Sequence, residues 1–149
     1  MTDNADVISN LTAAFYSRFT ALTGGVNNDF FNAVNGQLFE DEAPQGTLCP
    51  YAVYSVIAAP KEKTFSEEYT NTLIQLSIFS AASSSAEIKN AYFQAHVLYD
   101  EKPLTITGST LVWMKETNLV VMREKVTNPD GTNWSRQYAI DLEVHTLLN

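Results

Sequence analysis

The sequence predicts an α+β fold in which two helices pack on one antiparallel β-sheet. Three observations support this class: apolar residues at helical spacing near the N-terminus, alternating strand patterns in the middle and at the end, and a turn signal before the final strand. The chain has 149 residues, a length that one hydrophobic core can organise. We therefore expect a single domain over residues 1–149.

An amphipathic helix is predicted at the N-terminus. The apolar residues that recur at helical spacing are Val7, Ile8, Leu11, Phe15, Phe19 and Leu22. Gly24 and Gly25 favour a C-terminal cap, which gives a helix of about five turns. The Asn-rich segment 26–36, which carries Phe30 and Phe31, predicts a short helical turn that fills the core.

Three strands are predicted in the middle of the chain. A short one covers 37–42, and longer ones cover 51–59 and 69–80. The side chains expected to face the core from the last of these are Thr70, Thr72, Ile74, Leu76 and Ile78. The charged segment from Pro60 to Glu68 is predicted to be a loop, longer than most hairpin connections.

A second helix is predicted after the serines at 83–85. Ser84 and Glu87 have the spacing of a capping box, and Asp100–Pro103 ends the helical pattern. The apolar stripe of this helix consists of Ile88, Ala91, Tyr92, Ala95 and Leu98.

The last third of the chain shows strand patterns. Leu104 and Ile106 begin it, and strands over 111–114 and 119–122 are predicted to be separated by 115–118. The Asn-Pro-Asp-Gly-Thr sequence at 128–132 predicts a tight turn. This turn is expected to join 120–126 to 134–144 as an antiparallel hairpin, with the last strand buried on one face.

Charge argues against nucleic-acid binding over the general surface. The net charge is −8, and the nine basic residues are scattered along the chain. Cys49 is the only cysteine, so it forms no internal disulfide, and its apolar surroundings predict a buried thiol. Neither a signal peptide nor a membrane-spanning segment is predicted.

Catalytic and metal sites are not predicted. The chain has two histidines, His96 on the second helix and His145 at the expected frayed end of the last strand, and no Gly-x-Ser-x-Gly elbow. Glu40 and Glu42 share one strand face, but a solvated loop edge is favoured over a divalent cation site. We therefore expect no enzymatic activity, no bound metal and no cofactor.

Several short motifs occur in an order that resembles a known family. They are Leu-x-x-Gly at 22–25, Leu-Phe-Glu-Asp-Glu-Ala-Pro-Gln-Gly at 38–46, Pro-Tyr and a strand at 50–54, the serines at 83–85, and Asn-Pro-Asp-Gly at 128–131. Their order and the chain length resemble the tail-completion, or head–tail joining, proteins of tailed bacteriophages. The resemblance covers nearly the whole chain.

This resemblance implies a structural protein of the virion neck, made in the host cytoplasm. The family members form a ring, typically a hexamer, between the head–tail connector and the tail tube, and DNA passes through the ring. The acidic charge is compatible with DNA passage without specific binding, and no membrane partner is implied. Two alternatives remain: a tail terminator or other neck protein of the same fold, and a small-ligand binding α+β domain.

Two segments are the expected assembly contacts with other subunits or with the tube. One is the 60–68 loop, because long loops on a rigid sheet often carry contacts, and the other is the C-terminal segment. The candidate contact residues are Lys61, Lys63, Phe65, Glu67, Glu68, His145, Leu147 and Leu148.

Overall fold

The computed structural model describes residues 4–125 and 134–149. The helices are α1 (Asn4–Thr20), α2 (Asp29–Ala33) and α3 (Ala86–Tyr99). The strands are β1 (Leu22–Thr23), β2 (Val26–Asn27), β3 (Leu38–Glu40), β4 (Tyr51–Ala58), β5 (Lys61–Lys63), β6 (Glu68–Ser80), β7 (Ser109–Lys125) and β8 (Trp134–Leu148). The α+β class is thus confirmed.

Most of the strands form one sheet in the order β3-β4-β6-β8-β7, and β5 also pairs with β6. The pairs are antiparallel except for β3 and β4, which are parallel. The sheet is therefore mixed rather than fully antiparallel as predicted. The difference arises because segment 41–50 crosses back to the start of β3 before β4 begins, as a parallel pair requires.

The core lies between one face of this sheet and the helices. Ile74, Leu76 and Ile78 of β6 are fully buried there, as their alternation predicted. Above them the ring of Phe15 from α1 stacks on the ring of Tyr99 from α3, with 4.1 Å between centroids. The Tyr99 hydroxyl donates a hydrogen bond of 3.1 Å to the Phe15 carbonyl. The two long helices are thus joined to each other as well as to the sheet.

The segment after α1 differs from the prediction. The helix ends at Thr20, and Leu22 is exposed in β1 instead of continuing the apolar stripe. Gly24 and Gly25 have φ values of 60° and 79° and form the turn between β1 and β2. Both backbones are left-handed, as a two-residue hairpin turn requires. A glycine pair favours a helix cap and a hairpin turn equally, so the sequence did not separate them.

The short helical turn predicted within 26–36 is confirmed as α2. The Asn28 side chain caps it by accepting a 2.8 Å hydrogen bond from the Phe31 backbone N–H. The Asn28 amide also donates to the Phe19 carbonyl at 2.8 Å, which ties α2 to the end of α1. Phe30 is buried in the core, as expected.

The second long helix begins without the predicted capping box. The Ser84 hydroxyl accepts from the Ala86 N–H at 3.1 Å, and the Glu87 carboxylate instead accepts from the Ser80 hydroxyl at 2.7 Å. The Glu87 side chain therefore bonds to Ser80 at the end of β6 and not to the N-terminus of its own helix. The predicted stripe is otherwise correct, and Tyr99, which the pattern left out, is fully buried with it.

The two strands predicted at 111–114 and 119–122 are one strand, β7, of 17 residues. Segment 115–118 does not interrupt it, because the register with β8 shifts at Val112 and Thr117 and pairing resumes after each shift. The predicted hairpin pairing of β7 with β8 is confirmed. The turn predicted at 128–132 lies outside the described residues.

Two smaller predictions need correction. Leu104 and Ile106 precede β7 without belonging to a strand, although Ile106 is buried. Cys49 is exposed, not buried. It lies one residue before Pro50 in a surface segment held by the Gln37 amide, which donates to the Leu48 and Pro50 carbonyls at 3.0 Å each.

None of the helices among residues 4–125 and 134–149 has both the length and the apolar character needed to cross a membrane.

The central position of β6 gives a stability prediction. We expect Ile74→Ala to lower the free energy of unfolding by about 2–5 kcal/mol, because it leaves a cavity in a fully buried site. Ile57→Ala, at a β4 position that is 50% exposed, should cost less than about 1 kcal/mol and serves as the control. Urea denaturation measures both. Equal losses in the two variants would contradict the assignment of β6 as the core strand.

Candidate functional site

The charged segment 60–68 is an ordered hairpin, not the loop that was predicted. Lys61 pairs with Thr70 and Lys63 pairs with Glu68, so β5 and β6 form a hairpin. Only its tip lies past Tyr69–Leu147, the last pair between β6 and β8. Lysine and glutamate have low strand propensity, which is why the sequence did not indicate a strand here. Pairing through the backbone overrides that preference.

The tip of this hairpin, residues 64–67, is closed by local hydrogen bonds. The Thr64 N–H donates to the Glu67 carbonyl at 2.8 Å, and the Glu67 N–H donates to the Thr64 hydroxyl at 3.1 Å. The Tyr69 hydroxyl donates to the Glu67 carboxylate, and this hydrogen bond raises the pKa of Tyr69. An ordered tip can present its side chains in a fixed direction.

Phe65 stands at this tip with its side chain entirely in solvent, at a relative exposure of 112%. Lys61, Lys63 and Glu67 are also exposed, and Glu68 is half-buried. A phenylalanine in this position buries no apolar surface against its own chain, whereas a partner could bury its whole ring. The tip is therefore the strongest candidate contact among the described residues.

The C-terminal candidate residues do not form a free tail. His145, Leu147 and Leu148 belong to β8, between β6 and β7. The His145 ring stacks between Tyr69 and Trp113, with 5.2 Å to each centroid and interplanar angles of 15° and 11°. His145 was expected at a frayed strand end, but pairing on both sides fixes it.

The structure brings the two predicted contact segments together. Leu147 pairs with Tyr69 on one side and with Thr110 on the other, and Tyr69 in turn pairs with Glu62 of β5. The base of the hairpin and the end of β8 are therefore neighbours across the sheet. We call Tyr69, His145 and Trp113 the aromatic row. The Lys115 ammonium lies over the Trp113 ring, 4.5 Å from its centroid, and covers this end of the aromatic row.

His96, the other histidine, lies in a hydrogen-bonded cluster between α3 and β7. Its Nδ1 is 2.6 Å from one carboxylate oxygen of Glu116, and its Nε2 is 3.6 Å from Asp100. The Tyr92 hydroxyl donates to the other Glu116 oxygen at 2.7 Å, and the Glu116 N–H donates to Asp100 at 2.8 Å. Neighbours occupy both Glu116 oxygens, so the cluster joins α3 to β7.

The acidic segment Glu40–Glu42 shows no metal-binding geometry. Glu40 accepts a 3.5 Å hydrogen bond from the Tyr54 hydroxyl. Asp41 has a positive φ of 64°, and its N–H donates to the Tyr54 carbonyl at 2.9 Å. Within residues 4–125 and 134–149, no group of three or more His, Cys, Asp or Glu residues could hold a metal ion.

Comparisons with known proteins agree with this architecture. The family model for tail completion protein gp17 matches residues 27–142, a range that includes the hairpin and most of the sheet. A chain in a solved structure, the virion of a native gene transfer agent (GTA) particle, is similar in fold, with a TM-score of 0.69 and 16% identity. The similarity covers 95% of this chain and 97% of that one. No curated protein matches the sequence.

The cluster around Glu116 gives a prediction for pH. Burial, together with the hydrogen bond and charge of Glu116, raises the pKa of Tyr92 from 10.0 to about 12. We expect Glu116→Gln to lower this pKa because the negative charge is lost, while burial keeps it above the ordinary value. Tyrosine-ring NMR titration measures it, with Glu143→Gln as the control on the opposite sheet face. An unchanged Tyr92 titration in Glu116→Gln would contradict the cluster.

Deprotonation of Tyr92 at high pH is expected to destabilise the folded protein. The folded-state pKa of Tyr92 is raised, so its contribution to stability is fully present below pH 10 and is lost as the pH rises towards 12. We expect unfolding by urea to become easier over this range, and the dependence should be weaker in Tyr92→Phe. An identical pH dependence in Tyr92→Phe would show that other groups cause it.

Proposed function

Because the chain belongs to the family of tail completion protein gp17, we propose that it forms a ring joining the head–tail connector to the tail tube, with DNA passing through. The chain is a structural protein of a phage tail, and its location is the virion. It interacts with other proteins of the particle. The ring, its hexameric number, and the connector and tube as partners are our proposal, as is the absence of catalysis.

The exposed hairpin tip is the observation that carries this proposal. A joining protein needs surfaces that meet other subunits in a fixed orientation, and the tip offers Phe65 on an ordered turn. The hairpin continues β6, which β4 and β8 hold on both sides, so a contact at the tip is supported by the whole sheet. The other candidate contacts, Leu147 and Leu148, lie at the same end of the sheet.

Charge supports passage of DNA without binding. Each copy carries a formal charge of −8, and a hexamer would carry six times that charge. Screening limits the repulsion to about 8 Å at physiological ionic strength, so it acts at the wall of a channel and not across its whole width. An acidic wall lets a duplex slide because it offers few lysines or arginines to hold phosphates.

Phe65 provides the most direct test of the contact. We expect Phe65→Ser to keep the wild-type melting temperature, since this side chain is fully exposed, but to reduce infectious particles at least tenfold. Leu48→Ser removes another exposed apolar side chain, 71% exposed, and is the matched control. Leu48 precedes β4, whose first residue Tyr51 pairs with Phe79 at the end of β6 away from the hairpin. Normal particle yield from Phe65→Ser would exclude the tip as an assembly contact. A single substitution is preferable to deleting 60–68, because the deletion would also remove β5, which pairs with β6.

The acidic surface gives a separate prediction. We expect the purified protein not to retard duplex DNA in a gel shift even at about 50 mM salt, where non-specific binding is much stronger than at physiological salt. A basic DNA-binding protein of similar mass is the positive control. Retardation that weakens as salt is added would show phosphate binding and would contradict the proposed passive channel.

A further inference from the structure

The free edge of β7 has a cleft beside the segment that follows α3. Residues 101–103 run along β7, and the Glu101 N–H donates a 2.8 Å hydrogen bond to the Met114 carbonyl. The space between them has a volume of about 420 Å³. Its walls include Pro103, Val112 and Trp113. We call this space the edge cleft.

The register shift in β7 explains the apolar walls of the edge cleft. Val112 has no partner in the β7–β8 register, and its side chain is 49% exposed at the cleft. Trp113, the next residue, pairs with His145 and is held by the stack of the aromatic row. The wall is therefore rigid on the Trp113 side and accessible on the Val112 side.

We propose that the edge cleft receives the hairpin tip of a second copy of this chain, with Phe65 as the inserted side chain. This inference rests on the proposed ring and identifies the two surfaces that form its subunit contact. Phe65 is the large apolar side chain of the described residues with the greatest exposure, and the cleft offers the apolar side chains of Pro103 and Val112 to bury it. The volume of the cleft lies within the range of small-molecule pockets, about 300–1000 Å³, which leaves room for one phenylalanine side chain.

The cleft cannot be filled by the tip of its own chain. The tip extends from β5 and β6, whereas the cleft lies outside β7, and β8 separates β6 from β7. Adjacent strands are about 4.8 Å apart, so the tip and the cleft are separated by about 10 Å of rigid sheet. A hairpin tip in the cleft must therefore come from another chain.

The charges around the two surfaces are complementary. Lys102 and Lys115 line the cleft, although the chain as a whole is acidic with only nine basic residues. They face an approaching tip that carries Glu67, while Glu101 at the cleft offers a partner for Lys63. Exposed pairs of this kind orient a contact and set its register more than they strengthen it.

The symmetry of such a contact agrees with a ring. The tip and the cleft are different surfaces, so the contact is heterologous, and repeating it from copy to copy closes a ring if the rotation allows. The aromatic row spans β6, β8 and β7 and connects the base of the hairpin to the cleft wall. The angle between the two surfaces is thus fixed within each subunit, as a closed ring requires.

Cysteine cross-linking in assembled particles tests the contact. In a Cys49→Ser background, Ser66→Cys places a thiol beside Phe65 and Val112→Cys places one in the cleft, and both Phe65 and Trp113 stay intact. A disulfide forms only where the Cα atoms come within about 7 Å. Ser66→Cys with Ile57→Cys is the matched control, because Ile57 is a strand residue with 50% exposure against 49% for Val112.

We expect the Ser66→Cys/Val112→Cys particles to give a ladder of covalent oligomers on a non-reducing gel, at least tenfold stronger than the Ile57→Cys control. Ser66→Cys alone should give monomer, and a strong dimer band from it would show a tip-to-tip contact and overturn the proposal. Equal ladders in the test and control variants would also overturn it. If electron micrographs of the same particles show a ring but no ladder forms, the tip-to-cleft contact is wrong and the proposed ring is still supported. If the micrographs show no ring, both the contact and the ring are wrong.

Discussion

Hydrogen bonding of β6 on both sides fixes the rest of the structure. β6 pairs with β4 along one side and with β8 along the other, while Ile74, Leu76 and Ile78 are buried beneath the helices. The same strand runs on to Glu68 and forms one arm of the exposed hairpin. The hairpin is therefore anchored in a strand that the core holds in place. Its tip keeps its shape through the hydrogen bonds between Thr64 and Glu67, without packing against another element of its own chain.

The parts of the fold that depend on alternation could be predicted from the sequence. The buried face of β6 and the stripe of α3 follow from periodicity, and the β7–β8 pairing was predicted from strand patterns together with the turn sequence at 128–132. The errors occur where one local signal serves two structures. Gly24 and Gly25 suit a cap or a hairpin, and Glu87 could accept from its own helix or from Ser80. Only tertiary contacts decide between such alternatives, and a short charged strand such as β5 has no propensity signal.

The candidate site was partly predictable for the same reasons. The length of segment 60–68 and its exposed Phe65 indicated a contact surface from the sequence. The sequence did not show that the hairpin base adjoins the end of β8, because this depends on the strand register. The edge cleft was also hidden, since it depends on the register shift at Val112 and on the path of residues 101–103. The cluster of His96 and Glu116 likewise joins residues 20 positions apart.

Electron cryomicroscopy of the assembled particle can test the joining role without any variant, because it locates the chain directly. We expect a ring of copies between the head–tail connector and the end of the tail tube, with each subunit fitting the fold described above and a DNA-sized channel at the centre. The net charge of −8, with nine basic residues, predicts that no ordered phosphate contacts line that channel. Density for the chain elsewhere in the particle, or as isolated monomers on its surface, would contradict the joining role.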